Sequence, residues 1–174
     1  MILETERLFL REMTWEDYPA ICEILQDEKT MYAYEHAFSD EEAKAWISRQ
    51  MERYEKEGIG LWAVVLKETG KVIGQCGLTW QDVGAEAPVL EVGYLFLRAH
   101  WHQGFATEAA RACRDWAFSV LRAPRVYSVI RDTNVASQRV AQRNGMAVAD
   151  RFVKHYRGVE MPHLLYAVDN PAKN

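Results

Sequence analysis

Cysteine is scarce in this sequence of 174 residues, with only Cys22, Cys76 and Cys113, each isolated in apolar surroundings. This spacing excludes a framework of disulfides and the paired ligands of a zinc site, and it predicts reduced core residues. The chain also has no apolar run as long as a membrane span, and residues 1–11 lack the continuous apolar stretch of a signal peptide. We therefore expect a cytoplasmic protein that does not enter a membrane.

A block of basic residues is also absent, because Lys and Arg are scattered along a chain of net charge -4. The electrostatic footprint of a nucleic-acid-binding protein is therefore missing. Two phosphate-binding motifs are missing as well, the P-loop with its Lys-Ser/Thr pair and the G-x-G-x-x-G turn of dinucleotide-binding folds. The hydrophobic fraction of 49% predicts one compact domain over residues 1–170, followed by a short polar tail at 171–174.

The residue pattern predicts an α/β domain with the element order β-α-α-β-β-β-α-β-α-β-β. Apolar residues from Leu3 onward indicate an opening strand, and Thr14 is the expected N-cap of the first helix. A Ser-x-x-Glu capping box at Ser39 begins a second helix, which Gly58 ends. Apolar runs predict further strands at residues 61–66, 72–80, 89–97, 125–130, 152–156 and 164–168, and helical periodicity predicts helices at 104–121 and 136–144.

The segment from Arg98 to Glu108 connects an apolar strand to a helix that begins inside it. The first N–H groups of a helix have no internal acceptor, and the helix dipole adds partial positive charge there, so such a junction binds anions without a lysine. Gly104 and Ala106 are small enough for a phosphate to approach the backbone. The alternative is an ordinary strand-to-helix connection with a glycine at its bend, and this segment alone leaves both interpretations open.

Three parts of the chain together resemble the GNAT superfamily of acetyltransferases. Motif A of that family, Q/R-x-x-G-x-G/A, is similar to Trp101-His102-Gln103-Gly104-Phe105-Ala106, in which Trp101 replaces the usual Gln or Arg and His102 a frequent Gly. The branch of the ribosomal-protein N-terminal (alanine) acetyltransferases is similar at its start to Leu3-Glu4-Thr5-Glu6-Arg7-Leu8-Phe9-Leu10-Arg11. Its motif B is similar to Asn134-Val135-Ala136-Ser137 and Arg143-Asn144-Gly145-Met146.

The resemblance implies the GNAT fold, with a central mixed, mostly antiparallel sheet flanked by helices, and acetyl-CoA as cosubstrate. It implies that backbone groups of Phe96 and Leu97 bond the pantetheine arm, and that Asn134 and Ser137 contact the pantetheine and phosphate portions. The backbone amides expected to hold the pyrophosphate are those of His102, Gln103, Gly104, Phe105, Ala106 and Thr107. No metal is expected, because His100 and His102 have no third ligand nearby in the sequence.

Acetyl transfer to an amine requires a base for the nucleophile and an acid for the departing thiolate. Glu91 is the candidate base, acting through water, because a lone carboxylate in an apolar strand has a raised pKa. The alternative is a structural acid that bonds neighbouring backbone. Many family members carry a Tyr seven residues after the motif B Asn as the proton donor to the thiolate, where this chain has Ala141. Ser137 is the nearest substitute, with helix N-capping as its alternative role.

Acceptor-binding residues are expected between the first two helices and near the final strand pair, at Tyr32, Tyr34, Glu35, His36, His155 and Tyr156. Aromatic side chains in such loops are as often anchors of the loop itself. The leading hypothesis is an N-acetyltransferase for a protein N-terminus or for a small amine such as a polyamine, amino acid or antibiotic. The alternatives are a non-catalytic acyl-CoA-binding module and a nucleotide-binding protein of another fold. Six Trp and eight Tyr fit either a monomer or a homodimer.

Overall fold

The computed structural model describes residues 1–173. Its strands are β1 Leu3–Glu4, β2 Leu8–Arg11, β3 Leu61–Leu66, β4 Lys71–Gln81, β5 Val89–Phe96, β6 Arg125–Arg131, β7 Ala147–Tyr156 and β8 Val159–Asp169. The α-helices are α1 Tyr18–Leu25, α2 Asp40–Glu57, α3 Phe105–Ser119 and α4 Val135–Arg143. All eight strands belong to one sheet in the order β1-β2-β3-β4-β5-β6-β8-β7, which confirms the predicted α/β fold and element order, apart from the opening strand.

The opening strand is a small hairpin. β1 and β2 pair with Leu3 opposite Leu10, and the turn between them closes where the Thr5 N–H donates to the Leu8 carbonyl at 2.9 Å. Apolar and charged residues alternate through residues 1–11, which was interpreted as one strand, so the pattern did not reveal the turn. Thr14 precedes a 3-10 turn, and the Asp17 carboxylate accepts the Thr14 N–H at 2.9 Å just before α1 begins.

Helix α2 has the ends that its sequence predicts. The Ser39 hydroxyl accepts the Glu42 N–H at 3.2 Å, and the Glu42 carboxylate accepts the Ser39 N–H at 3.0 Å. Gly58 follows the helix with a φ of +72°, a left-handed conformation that disfavours any residue with a Cβ. The reciprocal cap and the terminal glycine therefore fix both ends of α2.

The helices cover the sheet on opposite faces. Leu61 and Ala63 of β3 pack in the cluster with α1 and α2, whereas Trp62 and Val64 pack in the cluster with α3 and α4. Successive strand residues point to opposite faces, so β3 is buried along its whole length. Small buried side chains let α3 approach the sheet closely, namely Ala109, Ala110, Cys113 and Ala117.

The sheet is antiparallel except between β5 and β6, the one parallel pair among the described strands. These two strands share a single bridge, between Glu91 and Tyr127. The Ser128 hydroxyl donates to the Val92 carbonyl at 2.9 Å just beyond it. From there to Phe96, β5 has no strand on its β6 side, so the sheet opens as a fork.

The final strand pair is longer than the sequence predicts. β7 begins at Ala147 and β8 at Val159, whereas the apolar pattern indicated only residues 152–156 and 164–168. The additional residues at 147–151 are exposed on an edge strand, so no buried alternation marks them. Pro171–Lys173 form a 3-10 turn in the region predicted as a polar tail, and Asn174 lies outside the described residues. Over residues 1–173, no helix combines the length and apolar character needed to cross a bilayer.

Candidate active site

The segment between β5 and α3 reverses the chain with two left-handed residues. His102 has a φ of +61° and Gly104 a φ of +80°. The first helical bond runs from the Glu108 N–H to the Gly104 carbonyl at 3.0 Å. Among residues 1–173, no acceptor is found for the N–H groups of residues 102–107. This loop therefore offers a run of free donors at a helix N-terminus, the arrangement that an anion-binding junction needs.

The N-terminal segment holds this loop in place. The Thr5 hydroxyl and the Arg7 N–H donate to the Glu108 carboxylate at 2.7 and 2.9 Å, and the Arg7 Nε donates to it at 2.7 Å. The Arg7 guanidinium also donates to the Gln103 carbonyl at 2.9 Å and lies 4.2 Å from the Phe105 ring centre. Sequence reasoning did not assign this role to Arg7, because its partners lie about a hundred residues away in the chain.

The open edge of β5 exposes alternate backbone groups. The Leu97 N–H donates to the Ile73 carbonyl at 2.9 Å, so odd-numbered residues of β5 face β4 and even-numbered residues face the fork. The Leu97 carbonyl is also occupied, since it accepts the His100 N–H at 2.9 Å. Both backbone groups of Leu97, which was expected to bond the pantetheine arm, therefore already have a partner within the chain. The groups that face the fork belong to Tyr94 and Phe96, with the Phe96 carbonyl accepting the Trp101 indole N–H at 2.9 Å.

Glu91 lies at the point where the fork begins. Its carboxylate accepts the Val129 N–H of β6 at 3.0 Å, in place of the strand-to-strand bond that the opening sheet no longer provides. Burial raises the pKa of Glu91 to about 7, against the opposing influence of Lys154, of this N–H and of Arg53. Glu91 thus combines the features of both alternatives raised from the sequence. It bonds neighbouring backbone, and its pKa suits proton transfer near neutral pH.

Helix α4 closes the other side of the fork. The Asn134 side chain is the N-cap of α4, since its Oδ1 accepts the Ser137 N–H at 3.2 Å, and Ser137 is therefore not the capping residue. The Tyr94 hydroxyl crosses from β5 and donates to the Ser137 carbonyl at 2.9 Å. Ala141, at the position of the family's usual acid, is buried. Ser137 lines the cavity at the fork.

This cavity, of about 490 Å³, extends from the fork toward α2 and β7. Glu91, Asn134 and Ser137 line it together with Tyr34 and Tyr156 of the expected acceptor region. The Tyr34 ring packs edge-on against three other rings, with centres at 6.0 Å from Phe38, 5.8 Å from Trp46 and 6.1 Å from Tyr156. Tyr34 therefore anchors its own loop and forms a wall of the cavity as well.

Four of the six expected acceptor residues do not line this cavity, namely Tyr32, Glu35, His36 and His155. Tyr32 is 41% exposed, and its carbonyl accepts a guanidinium N–H of Arg131 at 3.1 Å. Glu35 has a φ of +75° and forms an ion pair with the same guanidinium at 3.5 Å. These contacts tie the loop to β6, and neither side chain lines the cavity. Within residues 1–173, no three His, Cys, Asp or Glu side chains cluster as a metal ion would require.

The fold and the site together define a class of enzyme. A loop of free N–H donors suits a phosphate-bearing group, an open strand edge suits an amide-bearing arm, and a carboxylate of raised pKa suits proton transfer. An enzyme that transfers an acyl group from a coenzyme A thioester can use all three. The chain belongs to the acetyltransferase (GNAT) domain family, which matches residues 7–147.

Similar proteins agree with this family. The chain is 34% identical over 145 residues to the uncharacterized protein YkkB of Bacillus subtilis, covering 83% of this chain and 84% of that protein. It is 34% identical over 137 residues to the uncharacterized N-acetyltransferase p20 of Bacillus licheniformis, covering 78% of this chain and 76% of that protein. The solved structure of RimL, a ribosomal L7/L12 α-N-protein acetyltransferase in complex with coenzyme A, covers 98% of each chain with a TM-score of 0.80 at 16% identity.

The predicted family and activity are confirmed by these findings. The chain is an acetyl-CoA-dependent N-acetyltransferase with the GNAT fold. Its fold is also that of ribosomal-protein acetyltransferases, the branch that the sequence motifs indicated.

Proposed function

We propose that the cavity beside Glu91 is where a primary amine is acetylated, by direct attack in a ternary complex. Glu91 accepts a proton from the acceptor ammonium through water, which frees the amine to attack the acetyl carbon. The Ser137 hydroxyl then relays the proton that the attacking nitrogen loses to the departing thiolate as the carbon–sulfur bond breaks. The observation that carries this proposal is that the Glu91 carboxylate, Ser137 and Tyr34 line one cavity at the fork of the sheet. The candidate base, the candidate acid and the side chain that would contact the acceptor therefore line the same cavity.

The pKa of Glu91 supports its role as base. Burial raises this pKa to about 7, so near neutral pH a large fraction of molecules carry the ionised carboxylate. A general base works best when its pKa lies near the working pH. The bond from the Val129 N–H holds one carboxylate oxygen, which fixes the orientation of the group without removing it from the cavity.

Acetyl-CoA supplies the activated acetyl group. We assign the N–H groups of His102, Gln103, Gly104, Phe105, Ala106 and Thr107 to its pyrophosphate. The outward backbone groups of Tyr94 and the outward N–H of Phe96 are assigned to its pantetheine arm. An outward N–H of β5 stabilises the negative charge that develops on the acetyl oxygen. Asn134 and Ser137 approach the arm from α4. Free donors in the loop and at the strand edge support this assignment.

The acceptor enters from the side of α2 and β7. Tyr34 and Tyr156 form its aromatic wall, and the acceptor is a protein N-terminus or a small-molecule amine. We place this reaction in the cytoplasm, which the cysteines support. All three cysteines are free, including Cys76 and Cys113 whose sulfurs lie 3.6 Å apart in the core.

The test is release of CoA thiol from acetyl-CoA over a panel of peptides and small amines. We expect turnover with at least one amine, and a Glu91→Gln enzyme slower by about a hundredfold near pH 7 and without the inflection in kcat/KM near that pH. Glu86→Gln, the same change at an exposed site on the β4–β5 connection, is the control. Acetyl-CoA binding without turnover of any amine would indicate the non-catalytic alternative, and an unchanged pH profile in Glu91→Gln would exclude the base.

A further inference from the structure

The cavity beside Glu91 is strongly cationic, although the whole chain has a net charge of -4. Two carboxylates, those of Glu42 and Glu91, line it. Burial lowers the pKa of His163, so this lining histidine is neutral near pH 7. The cationic side chains that line the cavity are Arg49, Arg53, Arg131, Lys154 and Arg157. The surplus of positive charge therefore belongs to this site and not to the protein in general.

Two of these cations are already neutralised. Arg157 pairs with Glu42 and lies over the Phe38 ring at 4.9 Å, so it ties the first turn of α2 and the residues before it to the turn that follows β7. Arg131 pairs with Glu35 at 3.5 Å. These two guanidinium groups hold the walls of the cavity together, and they are not available to a ligand without breaking those contacts.

The other three cations, Arg49, Arg53 and Lys154, have no carboxylate within 4.0 Å in the part of the chain that the structure describes. Arg53 is half-buried and donates only to the neutral Gln50 side chain, at 3.2 Å. Burial lowers the pKa of Arg53, which reflects the cost of holding this charge away from water. The carboxylates of Glu57 and Glu91 act on Arg53 without forming an ion pair with it. A partly desolvated cation of this kind points to an anion from outside the chain.

That anion is not a phosphate of the acetyl donor. The free N–H groups of residues 102–107 lie at the start of α3, and α3 packs on the opposite face of the sheet from α2, which carries Arg49 and Arg53. Lys154 is on β7, at the acceptor end of the cavity, and its charge and that of Arg53 both act on Glu91. The three cations therefore share the acceptor's space.

We propose that the acceptor is an amine that carries a carboxylate within a few bonds of its nitrogen, held by Arg53 and Lys154 with Arg49 at the entrance. This inference rests on the proposed function, since it assumes that the acceptor occupies this cavity. Such a molecule sets its carboxylate against the three cations and its ammonium toward Glu91. A polyamine or a polycationic antibiotic meets the same three cations with like charge, which costs binding energy.

The experiment compares acceptors that differ only in that carboxylate, by release of CoA thiol. The pairs are alanine with alaninamide, β-alanine with β-alaninamide, and an amidated peptide that begins with Asp with one that begins with Asn. Spermidine is tested in addition, as an acceptor that carries only positive charge. We expect kcat/KM to be at least about tenfold higher for the carboxylate member of a pair. The free amino acids and the peptides then distinguish a small-molecule source of the carboxylate from a protein N-terminus. Equal turnover within every pair, or a preference for spermidine, overturns the inference while leaving acetyl transfer in place.

Charge-neutralising variants test the residues. Arg53→Gln and Lys154→Gln are expected to raise KM for the carboxylate acceptor about tenfold, with a smaller effect on kcat and none on KM for acetyl-CoA. Lys44→Gln removes the same charge from an exposed position of α2 and is the matched control. Lost discrimination in the first two variants but not in Lys44→Gln supports the assignment, and equal effects in all three contradict it.

A binding measurement decides the case in which no acceptor turns over. Calorimetric titration in the presence of CoA compares N-acetylalanine with N-acetylalaninamide, the acetylated forms of the first pair. Tighter binding of the carboxylate, lost in Arg53→Gln, supports a carboxylate site even if the proposed transfer there fails. No preference between the two overturns the inference.

Discussion

The carboxylate of Glu91 accepts the backbone N–H of Val129 at 3.0 Å, and so links β5 to β6 at the last residue before the two strands part. The same carboxylate faces the cavity in which we place the chemistry. One side chain therefore closes the sheet and provides the candidate base. The stability of the protein therefore depends on the ionisation of this candidate base.

The first prediction concerns stability and pH. Burial raises the pKa of Glu91 from 4.5 to about 7, so the folded state holds this proton more tightly than the unfolded state. The resulting stabilisation is full below pH 4.5 and is lost as the pH rises through about 7. Glu91→Gln keeps an acceptor for the Val129 N–H and does not ionise. Its free energy of unfolding relative to the parent is therefore expected to rise between pH 5 and pH 8.

Denaturant titrations of both proteins at several pH values measure this difference. Glu86→Gln, at an exposed position, is expected to show a difference from the parent that does not change with pH. A pH-independent difference for Glu91→Gln as well would mean that Glu91 is not desolvated in the folded state.

The second prediction concerns the loop before α3. Gly104 has a φ of +80°, which a β-branched residue adopts only with strain of about 1–2 kcal/mol. Gly104→Val is expected to distort the free N–H groups and to weaken acetyl-CoA binding at least about tenfold. Gly84→Val is the matched control, because Gly84 has a φ of +76° in a loop where an added Cβ would meet nothing within 4 Å. We expect both variants to lose similar stability. Only Gly104→Val is expected to lose affinity for acetyl-CoA, which calorimetric titration measures.

The third prediction concerns the contact between Arg7 and Glu108. Arg7→Ala removes the bonds to Glu108 and to the Gln103 carbonyl, and we expect a loss of about 1–2 kcal/mol in unfolding free energy together with weaker acetyl-CoA binding. Arg125 is a suitable comparison, since its side chain is 43% exposed against 41% for Arg7 and it pairs with Asp169. Exposed ion pairs contribute little, so Arg125→Ala is expected to change neither quantity by more than about 0.5 kcal/mol. Equal effects of the two variants would show that Arg7 does not support the loop.

The fourth prediction distinguishes a proton donor, Ser137, from a structural contact, Tyr94, at the start of α4. Ser137→Ala is expected to lower kcat at least about tenfold with little change in thermal stability, because Ser137 lines the cavity. Tyr94→Phe removes the bond to the Ser137 carbonyl, and we expect it to cost about 1 kcal/mol of unfolding free energy. Steady-state rates and thermal unfolding of both variants check this division. A Tyr94→Phe enzyme slower than Ser137→Ala would transfer the role of proton donor to Tyr94.

Local signals in the sequence predicted much of the fold. The capping box at Ser39 and the glycine at Gly58 act over three or four residues, and the structure has both as predicted. The strand at residues 61–66 was also placed correctly, since it is apolar throughout and bounded by turn residues. Features of this kind depend on neighbours in the chain, so a single sequence contains them.

The rest of the site depends on pairing between distant residues. The orientation of Leu97 follows from its register against Ile73, and apolar spacing alone does not reveal which backbone groups face a neighbouring strand. The contact of Glu91 with Val129 and that of Arg7 with Glu108 join residues far apart in the chain. The sequence predicted Glu91 as chemically unusual, but only the folded sheet shows what its carboxylate bonds.

The sheet consists of two parts, which meet at the single bridge between β5 and β6 and at the side-chain bonds of Ser128 and Glu91. The part formed by β1 to β5 leads into the loop of free N–H groups before α3. The part formed by β6, β8 and β7 carries Lys154, with Arg157 in the turn after β7. A ligand arm that bonds the outward groups of Tyr94 and Phe96 replaces the strand that is missing there, so it acts as a structural part of the sheet. We therefore expect slower amide exchange along both strands of the fork when CoA binds, because the ligand rigidifies the edge of the sheet to which it bonds.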